Sequence, residues 1–149
     1  MVVLGLVAIA QFVVVVGGGV DLSLGANVRL SAIVAAILMN GDGSRFFLGL
    51  AGGLLAGITV GVLNAFIVTR LRVEPFIATL GTGALISGLA LLIAVTPIGR
   101  SSPQLDLFYG WSFGPFYGAF LLLLVASFGI AYAMRSTSWG LHVDRKSVV

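Results

Sequence analysis

The chain has 149 residues, 59% of them hydrophobic and 9% charged, where ordinary soluble domains carry about 25% charged residues; with a mean hydropathy of +1.16 it belongs in a membrane. Eight Lys and Arg against five acids leave a net charge of +3, too few and too scattered to form the clustered basic face that nucleic acid requires. With no cysteine and a single histidine, His142, disulfides, iron–sulfur clusters, thiolate zinc and multi-histidine metal sites are excluded, and no cofactor is expected.

A hydrocarbon core about 30 Å thick is crossed by about 20 residues of helix. Five apolar runs approach that length, at 1–17, 22–39, 46–69, 75–96 and 114–134. None shows the alternating pattern of an outer-membrane barrel strand, so the expected architecture is all-α, a polytopic bundle of transmembrane helices. The first run begins without basic residues and continues past Ala8-Ile9-Ala10 to Val16. That argues against a cleaved signal peptide and for a helix, with Gln11 as its polar member.

Between the first two runs lies GGGVDLSLG, residues 17–25. Its glycines break the preceding helix, and Asp21 stands where the next one would begin. One reading makes Asp21 a helix cap, accepting from the backbone N–H of Ser23 or Leu24. The other makes the break part of a translocation path, since irregular backbone at membrane depth must be buried in protein or face water. Arg29 follows inside the second run. An arginine near a helix centre costs about 2.5–3.5 kcal/mol on insertion scales, which leaves a pathway-facing side chain, one snorkelling to an interface, or a sequence error. Asp21 is an awkward partner for it, because their separation of eight positions spans about 12 Å of helix.

NGDGSR (40–45) reads as a loop. In the third run Gly49, Gly53, Gly57 and Gly61 recur every fourth residue, continued by Ala65. Lipid gives helices no hydrophobic reward for meeting, so such a small-residue face is expected to pack closely against another helix. Gly81, Ala84 and Gly88 repeat the device in the fourth run, after a charged turn at TRLRVEP (69–75). The polar residues within the runs, Gln11, Asn64, Thr79, Thr82 and Ser87, suit hydrogen bonds between helices, with Gln11 and Asn64 the candidates among them for a substrate pathway. In the loop at 97–113, Phe108, Tyr109 and Trp111 suit an outer interfacial belt or a docking surface.

Basic residues set the orientation. Arg70, Arg72, Arg135, Arg145 and Lys146 oppose Arg45 and Arg100, five to two, which places the first group in the cytoplasm, 40–45 and 97–113 outside, and the Asp21 segment toward the inside.

The same residues carry a resemblance. GGGVDLSLG resembles the G-G-I-D-L-S-V-G signature of the membrane permease subunits of bacterial ABC sugar importers, the ribose, xylose and arabinose group. LNAFIVTRLRVEPFIATLGTGALISGLALLIAVTPIG is similar to that family's glycine-rich helix, cytoplasmic turn and P-F-I-A-T-L-G segment, and RSTSWGLHV (135–143) resembles the start of its cytoplasmic coupling segment. The resemblance implies a homodimeric permease in the bacterial inner membrane that forms part of a monosaccharide pathway. It also implies a periplasmic sugar-binding protein docking outside and ATP-binding cassette ATPase subunits inside, with Arg135, Trp139, Gly140 and His142 on the ATPase side. Hydrolysis would be theirs. This chain has no phosphate-binding loop, no Ser-His-Asp set and no zinc signature, so it is not expected to be an enzyme.

Three departures accompany the likeness. Family members extend beyond this sequence at both ends, so 1–143 reads as a partial permease domain. The tail DRKSVV (144–149) matches nothing in the family and equals the translation of a common sequencing adapter up to its stop codon. It is therefore expected to be non-native, and without Arg145 and Lys146 the charge count falls to three against two. Arg29 stands where the family has a small or apolar residue. The rival readings are a self-contained small membrane protein, channel-like or structural, assembled through the 49–61 glycines, and a permease for branched-chain amino acids, which the D-L-S motif disfavours.

Overall fold

The computed structural model describes residues 2–96, 98–114 and 116–136. In chain order it contains α1 (Val2–Val16), α2 (Leu24–Met39), a single 3₁₀ turn at Gly43–Arg45, α3 (Phe46–Arg70), α4 (Pro75–Ile93), α5 (Pro103–Gly110), the two-residue strands β1 (Ser112–Phe113) and β2 (Phe116–Tyr117), and α6 (Gly118–Ser136). Each of the five apolar runs supplies one long helix. Helices Gly43–Arg70, Pro75–Ile93 and Gly118–Ser136 are long and apolar enough to cross a membrane. The 15 and 16 residues of α1 and α2 reach about 22–24 Å.

The structure differs from the sequence reading after α4. That helix stops at Ile93 rather than 96, and Thr96 precedes a proline, which disfavours helical backbone in the residue before it. The expected loop at 97–113 contains α5, started by Pro103 at its first position, where proline's missing N–H costs nothing. The last run yields helix only from Gly118. Before it, β1 and β2 pair antiparallel, Ser112 with Tyr117 and Phe113 with Phe116, around Gly114 at φ 60°. Four strand residues leave the architecture all-helical.

The helices fall into two compact units, Asp21–Leu107 and a second made of Met1–Val20 with Phe108–Val149. In the first unit α2 lies along the glycine row of α3. A Cβ on Gly49 would meet the Met39 side chain and the Ala35 carbonyl, one on Gly53 would come within 3.0 Å of the Ser31 carbonyl oxygen, and one on Gly57 within 3.2 Å of Ser31 Oγ. Asn27 Nδ2 donates to the Gly57 carbonyl at 3.3 Å across the same contact. Gly61 is exposed, with nothing within 4 Å of a Cβ placed on it. In α4 the expected series also points outward: Gly81 and Gly88 face open space, while Ala78, Thr79, Thr82, Gly83, Ile86 and Ala90 are buried.

The far end of this unit is a tied loop. Gly41 N–H donates to the Arg100 carbonyl and Gln104 Nε2 to the Gly43 carbonyl, both at 3.1 Å. Gly99, at φ 80°, sits so close to α2 that a Cβ would approach the Ala36 carbonyl carbon to 2.5 Å. Only glycine fits there. Asp42 caps the 3₁₀ turn through Ser44 N–H and Oγ, both at 2.8 Å. The Ser44 hydroxyl and N–H, aided by the Arg45 charge, hold its carboxyl below the ordinary carboxylate range.

In the second unit α1 packs on α6 where Gly5 faces Leu123, and Gly118 admits the Trp111 ring, whose Cε3 lies 2.7 Å from where a Cβ on that glycine would stand.

Candidate functional site: a polar clamp on a broken helix

Residues 17–23 separate α1 from α2; the Gly17, Gly18 and Gly19 N–H groups still donate to the Val13, Val15 and Val14 carbonyls of α1 and the Ser23 carbonyl accepts from Asn27 of α2, so the turn at Asp21–Ser23 is what remains to be fixed. The sequence solves this locally first. Asp21 Oδ1 accepts from Ser23 N–H at 2.7 Å and from Ser23 Oγ at 2.6 Å. An aspartate bonding to the backbone two residues on makes an Asx turn. The helix begins at Leu24 with Ser23 in the cap position and no side-chain cap bond. Asp21 thus binds the N–H that the sequence reading proposed, but as the turn before the helix rather than as its cap.

Two other helices complete the job. Asn64 Nδ2, from α3, donates to Ser23 Oγ at 2.7 Å, and Asn64 Oδ1 accepts from Thr82 Oγ1 of α4, also at 2.7 Å. The Leu22 N–H donates to Thr79 Oγ1 at 3.1 Å, and that hydroxyl lies 2.8 Å from the Pro75 carbonyl. Gly83 makes the approach possible, because a Cβ there would stand 3.2 Å from Ser23 Cα and 3.4 Å from the Leu22 carbonyl oxygen.

The donors run one way, Thr82 to Asn64 to Ser23 to Asp21, and end on a carboxylate. Each bond in such a chain polarises the next, and the last is charge-assisted. Ser23 is 1% exposed, Thr79 3%, Thr82 5% and Asn64 7%, so the cluster is dry and its members hold one another. Asp21 at the end is half-buried. The arrangement fixes a backbone break, and it offers no acid–base pair, since the only titratable member is that carboxylate. Among the described residues no group of three His, Cys, Asp or Glu side chains could hold a metal.

The other sequence candidates distribute as follows. Asn64 engages both ends of its amide inside the packing, joining α3 to Ser23 and to α4. Gln11 is half-buried in α1, within the other unit. Arg29 is exposed on α2, on the side away from Asn27 and Ser31, and forms no ion pair with Asp21. Arg135 is exposed in the last turn of α6, and Trp139, Gly140, His142 and the tail 144–149 lie outside the described residues. Sequence reasoning missed Ser23 as the hub; its signal was the Asp-x-Ser spacing of an Asx turn.

Residues 1–144 match the profile of the family described as branched-chain amino acid transport system / permease component. The chain belongs to that family. D-allose transport system permease protein AlsC of Escherichia coli K12 is 37% identical over 89 residues, which are 60% of this chain and 27% of that protein. Autoinducer 2 import system permease protein LsrD is 35% identical over 91 residues in Enterobacter sp. strain 638, and 36% identical over 91 residues in Escherichia coli K12. These alignments cover 61% of this chain and 28% and 27% of the two LsrD proteins. The aligned stretch thus spans little more than a quarter of these curated relatives. No solved structure matches the chain. A permease component with three helices of membrane-spanning length and composition is a multi-pass membrane protein.

Proposed function

We propose that this chain forms part of the translocation pathway of an ATP-binding cassette importer for a monosaccharide in the bacterial inner membrane. The observation that carries the reading is the non-helical Asp21–Ser23 segment ahead of α2, fixed by the Asp21–Ser23–Asn64–Thr82 chain. Non-helical backbone is tolerated at membrane depth where it is buried in protein or lines a water-filled cavity, and broken helices of this kind build transporter sites. The likeness to a D-allose permease protein favours a sugar over a branched-chain amino acid. In this reading a second permease subunit completes the pathway and a periplasmic binding protein delivers the sugar. ATPase subunits drive alternating access from the cytoplasmic side, where Arg135 and the segment after it meet them.

The test is ATP-dependent uptake of labelled D-allose by the importer in proteoliposomes, with its ATPase and binding protein, compared with labelled leucine. Uptake of D-allose that falls at least about tenfold in Asn64→Leu, which unpairs Ser23 and Thr82, supports the proposal. Leucine uptake without sugar uptake would replace it with the amino-acid reading.

A further inference from the structure

Arg29 is the one charged side chain within α2, five residues past its start at Leu24, about 7.5 Å along the axis. The α2 face bearing Asn27, Ser31, Ala35 and Met39 is spent on α3. Arg29 stands on the other face, exposed, with Gly25, Val28 and Ala32 exposed beside it. Nothing lies within 4 Å of a Cβ placed on Gly25, so the surface one turn before Arg29 is open. Among the described residues the only ion pair is Arg45 with Asp42. The nearest acid in sequence, Asp21, has its Oδ1 engaged by Ser23. The guanidinium is therefore an uncompensated cation on an apolar helix, a placement that hydrocarbon penalises and that water or an anion relieves. Its rigid fork of donors matches a carboxylate bidentately.

We propose that Arg29 is a specificity-determining residue that faces the aqueous pathway and selects for carboxylate-bearing sugars, uronates or aldonates, over neutral ones. This rests on the importer reading above and names the substrate class of its pathway. The small residues Gly25 and Ala32 leave room beside the guanidinium for a sugar ring, and the Asp21 turn holds the start of α2 in place.

The importer with its ATPase and binding protein is reconstituted and given labelled D-glucuronate or labelled D-allose. Preferential uptake of D-glucuronate in the wild type, with the glucuronate-to-allose ratio falling about tenfold or more in Arg29→Gln and partly recovered in Arg29→Lys, supports the proposal. Removing a charge from an apolar helix eases insertion, so this loss is not one of folding. An equal ratio in wild type and Arg29→Gln, with D-allose still transported, overturns the inference alone; no ATP-dependent uptake of either sugar overturns the importer reading as well. These 149 residues contain no cysteine, and in an importer otherwise freed of cysteine Arg29→Cys gives a single reporter. Labelling by a water-soluble thiol reagent, slowed by D-glucuronate and not by D-allose, supports the assignment, whereas an unlabelled cysteine places the position away from water and overturns it.

Discussion

Ser23 carries more of the fold than its size suggests. Its hydroxyl donates to Asp21 and accepts from Asn64, and it is 1% exposed, so truncation leaves a buried amide N–H with no water to turn to. An unmet buried donor costs about 1–3 kcal/mol. Ser23→Ala is therefore expected to lower the unfolding midpoint in detergent by that much, whereas Ser101→Ala, whose hydroxyl meets Asp106 in the open, should shift it by no more than about 0.5 kcal/mol. Equal shifts for the two would remove the clamp from the account. The Asp21 to Ser23 bond was legible in the sequence because an Asx turn is a rule about neighbours two residues apart. Asn64 and Thr82 were legible as helix-joining polar residues, but not as partners of Ser23 and of each other. They are 41 and 18 residues from those partners, and no local rule reaches so far.

Among the elements, α3 shows how far a periodic signal extends. Gly49, Gly53 and Gly57 line the face against α2, but on a helix of 3.6 residues per turn a four-residue spacing drifts about 40° at each step, so the row winds off that face. Met39 closes α2 beside Gly49, and Gly53 and Gly57 face Ser31 and Ala35, while Gly61 faces open space. Gly53→Val would force the branched side chain against the Ser31 carbonyl, a misfit of about 1–3 kcal/mol. Gly61→Ala meets nothing and gains about 1 kcal/mol of helix propensity. Detergent unfolding of the two variants is expected to give shifts of opposite sign; a loss at Gly61 comparable with that at Gly53 would mean a further helix covers it. The same limit explains α4, where Gly81 and Gly88 resemble a packing row but Gly83 makes the close contact with Ser23. The helix start at Pro103 and the strand Ser112–Phe113 were hidden in a segment whose turn-rich composition reads as loop, and the partner strand Phe116–Tyr117 opens a run that reads as helix.

For the whole molecule, orientation rests on few charges. Arg70 and Arg72 are both exposed at the end of α3, and Arg72 holds a left-handed backbone, φ 56°, which turns the chain sharply into α4. Such a conformation costs a non-glycine residue about 1–2 kcal/mol, so arginine is an expensive choice for that turn, and a charge anchoring the loop in the cytoplasm is a physical reason to keep it. Arg45 sits at the opposite end of the same helix, paired with Asp42 at 3.6 Å. If Arg70 and Arg72 set the topology, a lone cysteine replacing Arg72 is labelled by a membrane-impermeant thiol reagent only after cells are opened, and one replacing Arg45 is labelled in intact cells. In a chain ending before the 144–149 tail, changing both Arg70 and Arg72 to alanine leaves Arg135 alone against Arg45 and Arg100, and a reporter cysteine at Ser44 should then divide between the two sides. Labelling of the Arg72 position from outside in the otherwise unaltered chain would invert the orientation, and the end proposed to meet ATPase subunits would then have to be sought at 40–45 and 97–113.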